Sequence, residues 1–237
     1  MFDVGDYELH LACKGSGSPT VVFFDGLGGG STPQVMAGLA PLVTDRHRFC
    51  SYDRVNTGRS GTQQAMHTGA DSVRDLHALL AAADVPGPYL LLGWSWGGVL
   101  ASMYAGTYPA DVTGLLLLES ALPTDDEIEV LYTPEELERL KAEWNAVEQE
   151  DLYRTLPEAK SAVKSIPDIP VTFLAGEPPA PANDLDKRIM ALRDVKRAEF
   201  VAQFRQGKIV TVDTGHDIAS ERPELVAAEL QRVVAAS

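Results

Sequence analysis

Short apolar runs that alternate with amphipathic stretches dominate the hydrophobic pattern of this 237-residue chain. Several runs are apolar throughout, as expected for strands covered on both faces of a parallel sheet. The predicted strands cover residues 7–13, 20–24, 48–52, 89–92, 115–118, 170–175 and 208–212. Helical periodicity predicts helices over residues 33–42, 72–83, 99–108, 184–204 and 224–234. The alternation predicts an α/β fold with a mainly parallel sheet, whose ligands bind at the carboxyl ends of the strands.

One segment, from about residue 122 to 168, breaks this alternation and is acidic. Within it, Thr133 and Pro134 followed by Glu136 predict a capped helix start. An apolar stripe along that helix comprises Leu137, Leu140, Trp144 and Val147. We expect this insertion to form a small helical lid within a single domain of residues 1–237. A surface helix without that role is the alternative.

Composition narrows the classes of function. Apolar residues make up 45% of the chain and charged residues 23%, which is typical of a soluble globular protein. The net charge of −14 argues against a nucleic-acid or anionic-membrane partner. The chain has neither a membrane-length apolar run nor a leader-like N-terminus, so we expect a cytoplasmic protein unless a signal peptide has been removed. The oligomeric state stays open.

Two cysteines, Cys13 and Cys50, are too few for a disulfide framework. We expect both to be free, buried thiols. Cysteine and histidine do not cluster with metal-ligand spacing, and we expect neither a metal nor a cofactor.

A Gly-Trp-Ser-Trp-Gly-Gly stretch at residues 93–98 lies between a predicted strand and a predicted helix. This context predicts a nucleophile elbow, with Ser95 as the nucleophile on a sharp turn. Glycine is expected at 93 and 97 because the backbone around the turn is crowded. The following helix points its N-terminal N–H groups at the reacting centre. The alternative is a glycine-rich turn in which Ser95 is only a helix cap.

Three further groups follow predicted strands. Residues 25–30 contain four glycines and either present a backbone N–H to an oxyanion or form a flexible loop. Glu119 ends the strand at 115–118, and His216 lies in a Gly-His turn after the last strand. We therefore expect Ser95, Glu119 and His216 to lie at one edge of the sheet.

These motifs together resemble the α/β-hydrolase superfamily, and the resemblance covers the chain apart from the lid. It implies an eight-stranded, mainly parallel sheet flanked by helices. The family's strand order would place Cys13 and Cys50 on neighbouring strands, where we still expect free thiols rather than a cross-strand disulfide. The resemblance also implies that Ser95 is the nucleophile and His216 the general base. The backbone N–H groups of Leu27 and Trp96 would form the oxyanion hole. Many relatives have His-Gly where this chain has Asp25 and Gly26, but the hole requires only backbone donors.

The third member of the triad departs from the common pattern. Most relatives carry an aspartate after the strand at 170–175, where this chain has Glu177 among prolines. A minority carry the acid one strand earlier, at the position of Glu119. We expect Glu119 to be the acid, with Glu177 as the alternative and Asp184 third.

Other titratable residues are expected to be structural. Asp53 is predicted to be a structural partner of Arg54 or Arg59, and Asp217 to belong to loop structure. The other histidines are expected to be structural or solvent-facing, with His47 at the surface; they are His10, His47, His67 and His77.

The resemblance implies a serine hydrolase that cleaves a carboxylic ester or lactone through an acyl-enzyme. Trp94 is expected in the core, whereas Trp96 is expected to wall the acyl pocket, which suits a small apolar substrate. Amidase and thioesterase activities stay possible. The unusual acid and Asp25 motivate the alternative of a non-hydrolytic member, either a cofactor-free lyase or perhydrolase or a ligand-binding protein.

Overall fold

The sheet is the organising element of the computed structural model, which describes residues 1–30, 32–177 and 180–237. In these residues eight strands pair in the order β1-β2-β4-β3-β5-β6-β7-β8. Only the β1–β2 and β2–β4 pairs are antiparallel. The strands are β1 Phe2–Asp3, β2 Glu8–Lys14, β3 Thr20–Phe24, β4 Phe49–Asp53, β5 Tyr89–Trp94, β6 Val112–Leu118, β7 Val171–Gly176 and β8 Gly207–Val212. The predicted α/β class with a mainly parallel sheet is confirmed.

Helices cover both faces of the sheet. They are α1 Thr32–Gly38, α2 Ala40–Val43, α3 Gly69–Ala82, α4 Trp96–Thr107, α5 Pro134–Glu148, α6 Leu152–Ala162, α7 Asp184–Val201, α8 Ile218–Glu221 and α9 Pro223–Ala236. The strand β3 shows the arrangement: Val22 and Phe24 pack on the α3 and α4 side, whereas Val21 and Phe23 pack on the α1 and α9 side. Burial on both faces explains why this strand has no polar alternation. Among the described residues, no helix is both long and apolar enough to cross a bilayer.

The cysteines differ from the expectation of free thiols, which is wrong. Cys13 on β2 lies directly opposite Cys50 on β4, with 4.1 Å between their Cα atoms, and the two form a disulfide. Neighbouring strands were expected from the resemblance, but the bond itself depends on the antiparallel register of two strands whose cysteines are 37 residues apart in the chain.

Several helix boundaries also differ from the sequence pattern, including the following two. The helix expected over residues 33–42 is divided at Leu39 into α1 and α2. The helix expected to run from 184 to 204 ends at Val201. Near its end, the guanidinium of Arg197 lies over the ring of Phe173. Neither change moves a strand end, so the site edge of the sheet keeps its predicted position.

The segment that we call the lid, residues 122–168, leaves the sheet after β6 and returns at β7. It begins with a 3₁₀ helix, Asp125–Leu131, and continues with α5 and α6. Thr133 and Glu136 form the expected capping box at the start of α5. The helix α6 was not anticipated; it packs against α4 and α3, and Leu152 and Leu156 are buried there.

Candidate active site

Ser95 occupies the sharp turn between β5 and α4. Its backbone has a φ of 52° and a ψ of −125°, a conformation that residues other than glycine rarely adopt. Any larger residue would clash here. A Cβ atom added at Gly97 would lie 2.2 Å from the carbonyl oxygen of Phe24, and one added at Gly93 would lie 2.6 Å from the Cα of Gly98. Glycine is thus required on both sides, with Gly97 crowded by the end of β3. This tight packing holds the Ser95 side chain at the carboxyl edge of the sheet.

Two backbone N–H groups are available beside Ser95. Trp96 is the first residue of α4, so its N–H has no intrahelical acceptor. Among the described residues, the N–H of Leu27 donates to no backbone carbonyl. The loop that carries Leu27 is close, since a Cβ at Gly26 would lie 3.4 Å from the Cβ of Ser95. Leu27, Trp96 and Ser95 line the same cavity. This arrangement can stabilise an oxyanion.

His216 lies in the loop after β8 with its side chain exposed. The indole Nε1 of Trp94 donates a hydrogen bond of 2.7 Å to the carbonyl oxygen of His216, and the two ring centroids are 5.3 Å apart. Trp94 was expected in the core; it is half-buried and supports the histidine loop. The residue just before the nucleophile therefore also holds the loop of the candidate base.

The carboxylate of Glu119 points toward the end of β7. It accepts a hydrogen bond of 2.6 Å from the N–H of Gly176, and Nη2 of Arg197 is 3.4 Å from its other oxygen. Glu119 has a positive φ of 37°, which turns the chain away from β6 toward the lid. A Cβ at Gly176 would lie 2.5 Å from the carbonyl oxygen of Gly215, so the histidine loop passes directly over the group that anchors Glu119.

Ser95, Glu119 and His216 line one cavity of about 120 Å³ at the carboxyl edge of the sheet. Glu177, the alternative acid, is exposed and lines a neighbouring cavity together with Glu119. Asp184 is exposed at the start of α7, within 3.4 Å of Nζ of Lys187. In the described part of the chain, no hydrogen bond joins the imidazole of His216 to Ser95 or Glu119. A relay through these groups requires the imidazole to turn into the cavity.

Comparison with known proteins places this fold in a family. A family profile described as alpha/beta hydrolase fold matches residues 19–211. The chain belongs to the α/β-hydrolase family. The uncharacterized protein YqjL of Bacillus subtilis is 34% identical over 126 residues, which are 53% of this chain and 48% of that protein. A proline iminopeptidase of Arabidopsis thaliana is 31% identical over 132 residues, 55% of this chain and 34% of that protein.

The matched stretches therefore span less than half the length of both relatives. A crystal structure of E-2-(acetamidomethylene)succinate hydrolase superposes on this α/β-hydrolase with a TM-score of 0.71 and 19% identity. That superposition covers 99% of this chain and 98% of the other, and at such low identity it shows the shared fold.

A second cavity of this α/β-hydrolase, of about 250 Å³, opens between Ser95 and the lid. Its walls are mainly aromatic and aliphatic: Leu27, Trp96, Ile128, Tyr132, Leu137, Trp144, Leu152, Tyr153 and Leu156. Three charged residues interrupt this surface, namely Asp125, Glu129 and Arg193. The expectation that Trp96 walls the pocket agrees with its position. A ligand here would bury apolar surface against the lid while its reacting group reached Ser95.

Asp125 lines both cavities of this α/β-hydrolase. Burial raises the pKa of its carboxyl group from 3.8 to about 6, against the opposing charge of Arg193. The sequence shows Asp125 only as part of an acidic segment and does not indicate this position. Its neighbour Arg193, on α7, was missed as well, since the charge pattern of that helix is typical of an exposed surface.

The raised pKa of Asp125 predicts a pH-dependent gain in stability for Asp125→Asn. Because the folded-state pKa exceeds the unfolded value, ionisation of Asp125 favours unfolding as pH rises from about 4 to 6. The difference corresponds to at most about 3 kcal/mol. Urea unfolding at about pH 8 should show Asp125→Asn to be more stable than the wild type, with a much smaller difference near pH 4.5. An equal difference at both pH values would contradict the raised pKa.

The remaining candidates occupy structural positions. The carboxylate of Asp53 accepts from the backbone N–H of Arg59 at 2.9 Å and lies 3.0 Å from Nδ1 of His10. Asp217 caps α8 by accepting from the N–H of Ser220. The expectation of a surface position for His47 is wrong: it is 4% exposed, with Nδ1 3.2 Å from the carbonyl oxygen of Pro19. The other two histidines are His67, which is buried, and His77, whose ring stacks on Tyr108.

Proposed function

We propose that this α/β-hydrolase is a serine hydrolase that cleaves a carboxylic ester or lactone through an acyl-enzyme. The observation that carries the proposal is the strained Ser95, which faces a cavity shared with His216 and Glu119 beside two available N–H groups. Nucleophile, base, acid and oxyanion donors are the parts that acyl transfer needs.

Each side chain has a role in the proposed reaction. The Oγ of Ser95 attacks the substrate carbonyl carbon while His216 takes its proton. Glu119 orients the imidazole and stabilises the imidazolium, and the N–H groups of Leu27 and Trp96 bind the oxyanion. His216 then donates the proton to the departing alkoxide, leaving an acyl group on Ser95. A water molecule, deprotonated by His216, releases the acid and restores the serine.

The cavity under the lid supports a small apolar substrate. Its aromatic and aliphatic walls suit an acyl group or a lactone ring, and about 250 Å³ limits the size of the ligand. We propose a small-molecule ester or lactone as the partner, with neither nucleic acid nor membrane.

Amide hydrolysis is the second candidate, because two observations favour it. One relative is named a proline iminopeptidase, and Asp125 and Glu129 lie in the larger cavity where they could pair with a substrate amine. The presence of Arg193 in the same cavity weakens that pairing. We therefore place the ester or lactone first.

A labelling and turnover experiment separates the candidates. A fluorophosphonate probe should label the protein, and mass spectrometry should locate the adduct on Ser95. A short-chain p-nitrophenyl ester or an apolar lactone should be hydrolysed faster than prolyl p-nitroanilide. Faster anilide hydrolysis would assign a peptidase instead. Absence of both labelling and hydrolysis would favour the non-hydrolytic alternative.

A further inference from the structure

The side chain of Arg54 connects the loop beside Ser95 to the lid. Arg54 directly follows β4 and is 3% exposed. Its Nη1 donates to the carbonyl oxygen of Asp25 at 2.8 Å, and its Nη2 to that of Gly26 at 2.6 Å. On its other side, Nε donates to one carboxylate oxygen of Glu148 and Nη2 to the other, both at 3.1 Å; Glu148 is the last residue of α5. Glu148 is also buried.

The hydrogen bond to Gly26 bears directly on the oxyanion donor. The carbonyl of Gly26 and the N–H of Leu27 belong to one trans peptide, so they point in opposite directions. The N–H of Gly29 also donates to this carbonyl, at 3.1 Å, and the guanidinium adds a shorter, charged hydrogen bond that fixes the carbonyl and with it the direction of the Leu27 N–H. Its positive charge also polarises the peptide, which strengthens the N–H as a donor.

A second carboxylate, two residues further along, contacts the other oxyanion residue. Glu150 is fully buried and accepts a hydrogen bond of 3.0 Å from the indole Nε1 of Trp96. The hydroxyl of Ser72 donates to the same carboxylate at 3.1 Å. Between the two glutamates, Gln149 adopts a left-handed conformation with φ of 59°, which separates α5 from the following strand bridge.

We propose that residues 148–150, which we call the lid turn, position the Leu27 half of the oxyanion hole. Glu148 acts through Arg54 on the Leu27 peptide, whereas Glu150 holds the indole of Trp96 against the lid turn. This inference rests on the proposed function of Ser95. Stability alone does not explain the arrangement, because a buried ion pair is often replaceable by apolar residues at little cost. The lid turn thus makes the oxyanion hole dependent on a docked lid.

The test uses the double variant Arg54→Met/Glu148→Leu, since either single change would leave a buried charge without its partner. The apolar pair should keep the fold while the carbonyls of Asp25 and Gly26 lose their charged donor. For p-nitrophenyl ester hydrolysis we expect kcat to fall by about 10²–10³, as for loss of one oxyanion donor. KM should stay within about threefold, because the lost contact acts in the transition state.

A second readout does not depend on turnover. Hydrogen exchange of the peptide covering residues 25–28 should become about tenfold faster in the double variant, since the charged donor to the carbonyls of Asp25 and Gly26 is gone and, within the residues that the structure describes, the N–H of Gly29 alone still holds the Gly26 carbonyl. If the wild type neither labels nor hydrolyses, the proposed function fails, whereas this exchange result still decides whether Arg54 fixes the loop.

The matched control is Lys208→Met/Glu229→Leu, which removes another ion pair with a buried carboxylate, on β8 and α9; Arg232, the second partner of Glu229, is exposed and keeps its charge in solvent. It should leave kcat, KM and exchange at residues 25–28 unchanged. Unchanged kcat and unchanged exchange in the Arg54 variant would overturn the proposal. Equal losses in both variants would also overturn it, because they would indicate a general effect on folding.

Discussion

Substitution of Ser95 by alanine should abolish ester hydrolysis, with kcat falling by about 10⁶ toward the level left by the oxyanion hole and substrate binding. The reason is that Ser95 carries the hydroxyl held at the strained turn, in the same cavity as Leu27 and Trp96, whose N–H groups are the proposed oxyanion donors. Alanine removes only that hydroxyl, and the backbone geometry of the elbow stays. Initial rates with a p-nitrophenyl ester and labelling by a fluorophosphonate probe measure the effect.

Ser102→Ala supplies the matched control for this change. Ser102 lies on the same helix, α4, and is fully buried, and its Oγ has no hydrogen-bond partner among the described residues. Loss of an unpaired hydroxyl should be neutral or stabilising. We expect wild-type rates and wild-type labelling for Ser102→Ala. Labelling of Ser95→Ala at the wild-type rate would show that another residue reacts with the probe.

The edge of the sheet was predictable because local patterns specify it. The apolar run of β3 predicts a buried strand, and the Gly-x-Ser-x-Gly sequence after β5 predicts a sharp turn. The position of Ser95 could therefore be predicted from its neighbours in the chain. The Gly-His turn after the last strand placed His216 at the same edge by the same logic.

Contacts between distant segments were not predictable. Glu148 and Glu150 belong to an acidic stretch that favours a solvated surface, yet both are buried because Arg54 and Trp96 lie opposite them. The pairing of Cys13 with Cys50 depends on strand register in the same way. A single sequence shows the charge of a residue and leaves its partner unspecified, so buried polar contacts emerge only from the fold.

The second large expected effect is on kcat, and it tests whether Glu119 or Glu177 is the acid of the triad. Glu119→Gln should lower kcat for ester hydrolysis by about 10³–10⁴, the scale seen when a triad carboxylate becomes an amide. The glutamine oxygen can still accept from the N–H of Gly176, so the loop geometry should persist. What disappears is the negative charge that stabilises the imidazolium of His216. Steady-state kinetics measure the loss, and thermal unfolding checks that the fold is kept.

Glu177→Gln is the matched control, because it makes the same chemical change one strand further along. Glu177 lines the neighbouring cavity and not the one that contains Ser95 and His216, so its variant should keep kcat within about threefold. The reverse outcome, a large loss for Glu177→Gln with Glu119→Gln near wild type, would assign the acid to the end of β7. Losses in both variants would indicate that the two carboxylates share the histidine, each holding part of the charge that the imidazolium requires.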